Sequence, residues 1–282
     1  RGFELVLGHN NTIGDFTYGV KSNATITRSR NKYVERAPDS NKYTNWRNNS
    51  NDRNKDLTWG YTMIGQFRDY EEILNSPVHG NKSLLPGDFK YKDLNGDNII
   101  DDNDVSVIGL GNTPFIYFGL NLTAAWKGFD VNVLFQGAGG HKIQLGSAFY
   151  QSFMNEGNSN GMAIWIERSH RVDSKDPASE WILGNCPPVR KAGFANNEKV
   201  NSYYLLDADY LRLKNLEIGY TVPKGLTSKI GVDKIRVFFN GSNLLRFTKG
   251  WLMKNIDPEN NNSNAWYYPQ AKMYNFGLSL SF

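Results

Sequence analysis

The last nine residues of the chain alternate strictly between apolar and small or polar side chains. Every second position from Tyr274 to Phe282 is aromatic or leucine, and the positions between them are Asn, Gly or Ser. A period of two places all the apolar side chains on one face of a β-strand. Since a tilted strand needs about 9–11 residues to cross a bilayer, this segment predicts a membrane-spanning strand.

The same alternation recurs along the chain. Six further segments carry it, namely residues 3–7, 16–26, 116–126, 129–136, 216–222 and 235–240. Together with residues 274–282 they predict seven antiparallel strands. Four charged side chains fall on the polar phase of their strands: Lys21, Asp130, Glu217 and Arg236. We expect this phase to face water, because Lys or Arg at the middle of a lipid-facing surface costs roughly 2–4 kcal/mol.

One predicted strand departs from this pattern. Arg212 and Lys214 share the phase of the apolar Leu216. Either both charges lie above the apolar band, or a β-bulge shifts the phase of the strand.

The connections between the predicted strands are alternately short and long. Residues 9–15, 127–128 and 223–233 are short connections, whereas 31–112, 140–202 and 248–268 are long and rich in Asn, Asp and Gly. Barrels of the outer membrane have short periplasmic turns and longer extracellular loops, so we expect the three long segments to be extracellular. The strand count agrees with this only if the strand-like residues 57–66 lie inside the first long loop.

Seven strands would leave two unpaired edges in lipid, which the bilayer does not tolerate. The sequence therefore predicts an all-β fold in which residues 1–282 are the C-terminal segment of one larger transmembrane β-barrel domain. The remaining strands are expected outside this chain.

Composition and charge exclude several other classes. The 32 basic and 28 acidic residues are scattered and give a net charge of only +4, which does not favour nucleic-acid binding. The single Cys186 can form neither an internal disulfide nor a thiolate metal site. The four histidines are far apart in sequence and no Gly-rich phosphate loop with its lysine is present, so the sequence predicts that the chain is not an enzyme.

A set of motifs resembles the SusC/RagA family of TonB-dependent transporters from Bacteroidota. It begins with Leu-Pro-Gly-Asp-Phe-Lys-Tyr-Lys-Asp-Leu-Asn-Gly-Asp from Leu85 and ends with the terminal aromatic Phe282. The segments between them that carry the resemblance are 107–109, 114–119, 127–130, 135–137, 209–216, 219–223 and 243–245. The resemblance covers essentially the whole chain.

The resemblance implies a 22-stranded barrel in the cell outer membrane. It also implies a plug domain and a TonB box upstream of Arg1, through which TonB acts on the transporter. Members of this family usually import oligosaccharides or peptides together with a SusD-like surface lipoprotein. Transported substrate and substrate-binding residues are not specified by this sequence.

Residues 93–104 have the oxygen spacing of an EF-hand or dockerin loop. The predicted Ca²⁺ ligands are the side chains of Asp93, Asn95, Asp97, Asp101 and Asp104 and the carbonyl of Ile99. Two positions depart from the pattern. Asn98 stands where Gly is usual, and Asp104 is shorter than the usual bidentate Glu. The alternative interpretation is an acidic, solvated turn that binds no metal tightly.

Tryptophans are concentrated in the predicted long loops, at Trp46, Trp59, Trp165, Trp181, Trp251 and Trp266. Such residues more often pack loops together or contact a partner than stack on sugars. The aromatic residues close to strand ends predict a girdle at the membrane interface: Tyr18, Trp126, Tyr220 and Tyr274.

Two alternatives belong to other classes of protein. A secreted, calcium-stabilised β-sandwich that binds glycans would also show alternating strands, but Phe118, Leu120, Leu278 and Leu280 would then be sealed between two sheets. An outer-membrane adhesin or passive porin would share the barrel and lack a plug domain.

Overall fold

The computed structural model describes residues 1–80, 83–151, 161–190, 194–250, 252–260, 264 and 267–282. Seven long strands form one antiparallel sheet in chain order, which confirms the predicted strand number. We number them β1 (Gly2–Ile13), β2 (Phe16–Thr27), β3 (Ile116–Trp126), β4 (Phe129–Gly139), β5 (Tyr210–Thr221), β6 (Lys234–Thr248) and β7 (Met273–Ser281).

Tight turns join β1 to β2 and β3 to β4. Lys127 and Gly128 both have positive φ, 46° and 90°, as a two-residue hairpin turn of type I′ requires. The first turn is shorter than the predicted connection 9–15. Residues 9–13 belong to β1, because their backbone pairs with Phe16 to Val20 of β2 despite the polar side chains of this stretch. β5 and β6 are joined through a helix, Lys224–Thr227, and a 3₁₀ turn, Ser228–Ile230.

The register brings the apolar phases of all seven strands onto one face of the sheet. One row of paired residues crosses the sheet from β7 to β1 through Phe276, Phe239, Ile218, Val131, Ala124, Tyr18 and Asn11. The side chains on this apolar face are widely exposed, for example 60% at Leu278 and 37% at Phe118. The β-sandwich interpretation is therefore wrong, since no second sheet covers these side chains within the described residues.

Lys214 is the site of a β-bulge. Leu134 pairs with Asn215 and Phe135 with Leu213, so Lys214 is an extra residue on β5 relative to β4. Its insertion moves Arg212 onto the polar phase, where it pairs with Gln136 of β4. Of the two explanations that the sequence left open for Arg212, the bulge is the one the structure shows.

Three long connections, residues 28–115, 140–209 and 249–272, lie between the sheet strands. The first contains four antiparallel short strands, Leu57–Gly60 with Ser106–Leu110 and Met63–Gln66 with Phe89–Tyr91, and a parallel pair, Val78–His79 with Ile99–Ile100. The second contains the pairs Lys142–Gln144 with Leu205–Asp207 and His170–Arg171 with Trp181–Ile182. Residues 57–66 thus lie inside the first long connection and outside the large sheet, as predicted.

Short helices complete these connections. The α-helices are Lys42–Asn48, Tyr70–Leu74, Ser147–Tyr150 and Ala195–Glu198, and the 3₁₀ turns are Asp102–Asp104, Ala163–Glu167 and Leu252–Lys254. In the described parts of the chain, no helix has the length and apolar character needed to cross a membrane.

The main buried core lies in the long connections and not in the sheet. Tyr91 comes from the first connection, Leu145 and Tyr204 from the second, and Met253 from the third, and each is about 1% exposed. We call the described residues of the three connections the cap. Because side chains from all three connections share one apolar core, the cap is a single folded unit.

Candidate functional site

The polar face of the sheet carries an ion cluster that spans three strands. Arg236 of β6 donates from Nε to Asp130 of β4 at 3.1 Å and from Nη2 to Glu217 of β5 at 2.7 Å. Asn240 donates to the same Glu217 at 3.2 Å. Three of the four charges predicted on the polar phase are therefore in contact, and the polar phase of this part of the sheet is a connected hydrogen-bonded surface.

A second ion cluster attaches the cap to the polar face above the bulge. Arg212 is 2% exposed and donates from Nη2 to Asp257 of the third connection at 2.7 Å. The Glu259 carboxylate lies 3.3 Å from Arg212 Nε and accepts from Lys214 at 3.4 Å. A buried arginine requires such partners, because an unpaired charge away from water is very costly. No pattern in the sequence indicated these pairs, which join residues about 45 positions apart.

Aromatic side chains line the end of the sheet where the short turns lie. Phe16 pairs with Trp126, and Trp126 with Phe129, on neighbouring strands. The Phe129 ring lies 4.5 Å from that of Tyr220, and Trp126 is 52% exposed. A row of exposed aromatic rings at one level is the arrangement expected of an interface girdle. Tyr274 lies at the opposite end of the sheet, on β7.

The loop 93–104 turns sharply at Asn98, whose φ is +63°. The Asn at this position therefore adopts the conformation that Gly usually supplies in a calcium loop. Asp93 accepts from the backbone N–H groups of Gly96 at 2.7 Å and Asn98 at 2.8 Å. The side chain of Asn95 accepts from the backbone N–H of Asp97, and the side chain of Asp97 accepts from the backbone N–H of Ile99.

Asp104 is placed differently from the other predicted ligands. It is fully buried, and its two carboxylate oxygens accept from the backbone of Leu94 at 2.7 Å and of Asp101 at 2.9 Å. Among the described residues, no three acidic, histidine or cysteine side chains converge closely enough to form a metal centre. The calcium assignment thus stays a prediction, and the observed hydrogen bonds are those of an ordered acidic turn.

Four of the six loop tryptophans lie in described residues. Trp46 and Trp59 are edge-to-face at 5.8 Å, and the guanidinium of Arg53 lies over both rings. Trp165 is 7% exposed in a small core with Cys186, and Trp181 lies against Arg171. These contacts are packing within the cap. Trp251 and Trp266 lie outside the described residues.

The cap also contains buried polar groups that the sequence did not identify. Asp88 is fully buried and accepts from Asn197 at 2.8 Å and from Arg190 Nε at 3.3 Å. His79 Nδ1 lies 2.7 Å from the side-chain oxygen of Asn196, and burial lowers the pKa of this histidine. Burial raises the pKa of the Cys186 thiol to about 11, so this cysteine is an unreactive core residue.

The architecture is that of a segment of an outer-membrane β-barrel, with an exposed apolar face, a polar face and a cap at one end. The comparisons with known proteins agree with it. No protein-family model matches the chain. In sequence it is 28% identical over 313 residues to TonB-dependent receptor P3 of Formosa agariphila, covering all of this chain and 28% of that receptor. TonB-dependent receptor P26 of the same organism is 27% identical over 79% of the chain and 22% of the receptor.

Solved structures of the RagAB peptide importer have the same fold. The chain matches the "open-open" state with a TM-score of 0.62 at 21% identity, and the "closed-closed" state with a TM-score of 0.67 at 19% identity. Each match covers the whole chain and less than a third of the importer chain, 28% and 29%. These results confirm the resemblance to the SusC/RagA type of TonB-dependent transporter. The relatives are receptors and importers and not enzymes, as predicted.

Proposed function

We propose that the full-length protein is a TonB-dependent importer of bulky nutrients, oligosaccharides or peptides, in the cell outer membrane. The observation that supports this most directly is the two-faced sheet. Apolar phases from all seven strands lie in register on one exposed face, while Arg236, Asp130 and Glu217 interact on the other. Such a sheet suits a wall between lipid and a water-filled lumen. In this proposal the chain supplies part of the barrel wall and the outer loops.

The cap is proposed to be extracellular and to meet a SusD-like surface lipoprotein. The short turns and the aromatic row lie at the other end of the sheet, as expected of a periplasmic end. A folded cap presents a surface of fixed shape, which suits docking of a partner better than mobile loops do. TonB would act on a part of the transporter outside this chain.

Uptake in cells tests the importer proposal. A strain lacking the full-length gene should lose uptake of labelled oligosaccharides or labelled peptides, and disruption of TonB in the parent strain should cause the same loss. The substrate class is the one, oligosaccharide or peptide, whose labelled form is no longer taken up. Uptake that is unchanged by both disruptions would contradict the proposal. Purification of the tagged transporter from detergent-solubilised outer membranes tests the partner. A surface lipoprotein should co-purify with the transporter, and its absence would contradict this part of the proposal.

We also propose that the loop 93–104 holds a structural Ca²⁺ ion. Its oxygen donors are of the kind that hard cations prefer, and the positive φ of Asn98 gives the turn that such a loop needs. Calorimetric titration of the intact transporter with Ca²⁺ should show a site that Asp93→Ala with Asp97→Ala removes. The matched control is Asp15→Ala, in the turn between β1 and β2 and distant in sequence from the loop 93–104. Equal heats from all three proteins would end this proposal.

A further inference from the structure

Two arginines lie on the apolar face of the sheet, at the cap end of β1 and β2. The β1–β2 ladder continues to this pair, since the backbone N–H of Arg28 donates to the carbonyl of Arg1 at 2.8 Å. Each arginine is two residues from an apolar side chain, Phe3 on β1 or Ile26 on β2, and these two are paired across the strands. Because side chains two positions apart on a strand share a face, both arginines lie directly above Phe3 and Ile26.

A third arginine joins them around a cleft of about 530 Å³. Arg30 follows β2, and its guanidinium donates to the backbone carbonyl of Asp52 in the cap. The lining of the cleft includes the three arginines, two exposed apolar side chains and one amide: Arg1, Arg28, Arg30, Phe3, Ile26 and Asn54. We call it the arginine cleft. It joins the outermost part of the apolar face to a group of three cations.

Within the described part of the chain, no carboxylate forms an ion pair with any of these arginines. The carboxylate of Asp52 lies 3.6 Å from the Lys32 ammonium, whereas Arg30 contacts the backbone of Asp52. The Asp56 carboxylate accepts a backbone hydrogen bond in an adjoining cavity of the cap. Glu4 is on the polar phase of β1 and therefore lies on the other face of the sheet. The arginine cleft thus carries an excess of positive charge.

The arrangement of the arginines favours a bound anion. Arg1 and Arg28 lie opposite each other on neighbouring strands, and like charges in this position are destabilising. The Arg28 guanidinium lies over the Phe115 ring, 4.6 Å from its centroid. Such a contact uses the face of the guanidinium and leaves the N–H groups at its edge available. All three arginine side chains are exposed, so an anion in the cleft has access to them.

A lysine elsewhere at this end of the apolar face is compensated by carboxylates. Lys249 follows β6 and lines a second cleft beside the apolar side chains of Phe118 and Phe247. Its ammonium lies 3.4 Å from Asp207 and 3.7 Å from Asp209. Both clefts combine a cation with apolar side chains, but the chain itself supplies the anions of this one. The arginine cleft requires an anion from outside.

We propose that the arginine cleft binds the phosphate of an anionic lipid headgroup, with the acyl chains of that lipid along Phe3 and Ile26. Arginine forks match phosphate oxygens in bidentate geometry, and basic clefts beside transmembrane surfaces bind phosphate headgroups. The adjoining apolar face favours a lipid over a soluble phosphate, since Phe3 and Ile26 continue directly into it. With the cap extracellular, as proposed above, the lipid belongs to the outer leaflet. This inference goes beyond import and rests on contact of the apolar face with lipid.

Binding of lipids with different headgroups to the full-length protein tests the site. The protein is kept in micelles of a neutral detergent at low ionic strength. Fluorescent phosphatidic acid is compared with phosphatidylcholine and diacylglycerol that carry the same acyl chains. We expect phosphatidic acid to bind roughly tenfold more tightly than either, because choline neutralises the phosphate and diacylglycerol lacks it. Glycerol phosphate, which has the headgroup without acyl chains, should compete only at much higher concentration.

Variants locate the binding. Arg28→Gln and Arg30→Gln should each weaken the binding of phosphatidic acid roughly fivefold, as expected for one cation near an anionic headgroup, and leave that of phosphatidylcholine unchanged. Both side chains are exposed, so both variants are expected to fold, which thermal unfolding verifies. Lys249→Gln is the matched control. It removes a cation at the same end of the apolar face whose charge is already paired, and should retain the parent affinity.

Four results would overturn the site. They are equal binding of phosphatidic acid and phosphatidylcholine, parent affinity in the protein that carries both arginine substitutions, an equal loss of affinity in Lys249→Gln, and competition by glycerol phosphate at the concentration at which unlabelled phosphatidic acid competes. The last would identify a soluble phosphate as the ligand.

Lipid binding requires neither TonB nor a transported substrate, so this experiment is independent of the uptake experiment. Selective binding of phosphatidic acid without TonB-dependent uptake would defeat the importer proposal and leave this site intact. TonB-dependent uptake without selective lipid binding would do the reverse.

Discussion

Arg236 reaches across a whole strand to contact Asp130. The two residues lie on β6 and β4, and the guanidinium crosses β5 above Gly219, with 3.1 Å between Nε and the carboxylate oxygen. A Cβ atom at Gly219 would lie 2.4 Å from Arg236 Nη2. The missing side chain of Gly219 is what allows this contact, so the glycine and the ion cluster depend on each other.

Gly219→Ala is therefore expected to destabilise the barrel. In an open strand position, replacing Gly by Ala is usually neutral or favourable, because Ala loses less backbone entropy. Here the new methyl group displaces Arg236, at a cost of about 1–3 kcal/mol typical of overpacking. Thermal unfolding of the full-length transporter measures the effect. Gly8→Ala is the matched control, since a Cβ there contacts nothing within 4 Å, and equal melting temperatures for the two variants would contradict the argument.

The assignment of the two faces predicts opposite outcomes for two positions on β7. Leu278→Arg places a charge on the apolar face and should cost roughly 2–4 kcal/mol in a bilayer. Asn275→Arg places the same charge on the polar face, opposite the uncharged Asn240 of β6, and should cost much less. The measurement is equilibrium unfolding of the full-length transporter from lipid vesicles. Equal destabilisation by both variants would show that the apolar face does not contact lipid.

Arg190→Ala is expected to loosen the cap. Asp88 is fully buried and paired with Arg190, so the variant leaves a buried carboxylate without its cation. Breaking a buried pair in this way costs about 3–5 kcal/mol. Limited proteolysis should cut the cap of this variant faster than that of the parent protein. Lys175→Ala, an exposed lysine of the same connection, is the control, and equal cleavage rates for all three proteins would contradict the prediction.

The lowered pKa of Glu72 predicts that the segment of the cap around this residue is sensitive to acid. A hydrogen bond from the Arg68 backbone N–H, together with the Lys90 ammonium at 2.9 Å, lowers the pKa of Glu72 from 4.5 to about 2. A carboxyl whose pKa is lower in the folded state stabilises the fold above its unfolded pKa, and this contribution is lost as the pH falls from 4.5 to about 2. Because solvent screens this partly exposed carboxylate, we expect the contribution of Glu72 to be about 1 kcal/mol.

Hydrogen exchange in residues 67–91, corrected for the intrinsic effect of pH, measures that loss. Glu72→Gln should exchange faster at neutral pH and show little further change between about pH 5 and pH 2. Glu71→Gln alters the exposed neighbouring carboxylate and should behave like the parent protein. A parent protein whose exchange does not change over this pH range would contradict the prediction.

The large sheet was predictable because one strong constraint acts on every strand. A surface that is apolar on one side and polar on the other requires strict alternation, as in residues 274–282, and that alternation identifies strand, face and register together. The strand ends were less accurate. Residues 9–13 look like a loop by composition, but their backbone hydrogen bonds to β2 outweigh side-chain polarity.

The cap was not predictable in the same way. Its core and ion pairs join positions far apart in sequence, such as Asp88 with Arg190 and Arg212 with Asp257. Short strands of two to five residues carry too little periodicity to be recognised. The bulge at Lys214 was an intermediate case, because the charges at Arg212 and Lys214 indicated either a bulge or a position above the apolar band and did not decide between them.

The shared core of the cap has a consequence for how proteins with this cap diversify. Each of the three connections completes a hydrophobic surface that the other two require, as Tyr91, Tyr204 and Met253 do. A single connection transplanted from a relative would bring side chains of the wrong shape into that core. New ligand preferences therefore have to arise either by replacing all three connections as one block or by changing residues on the outer surface and at cavity walls.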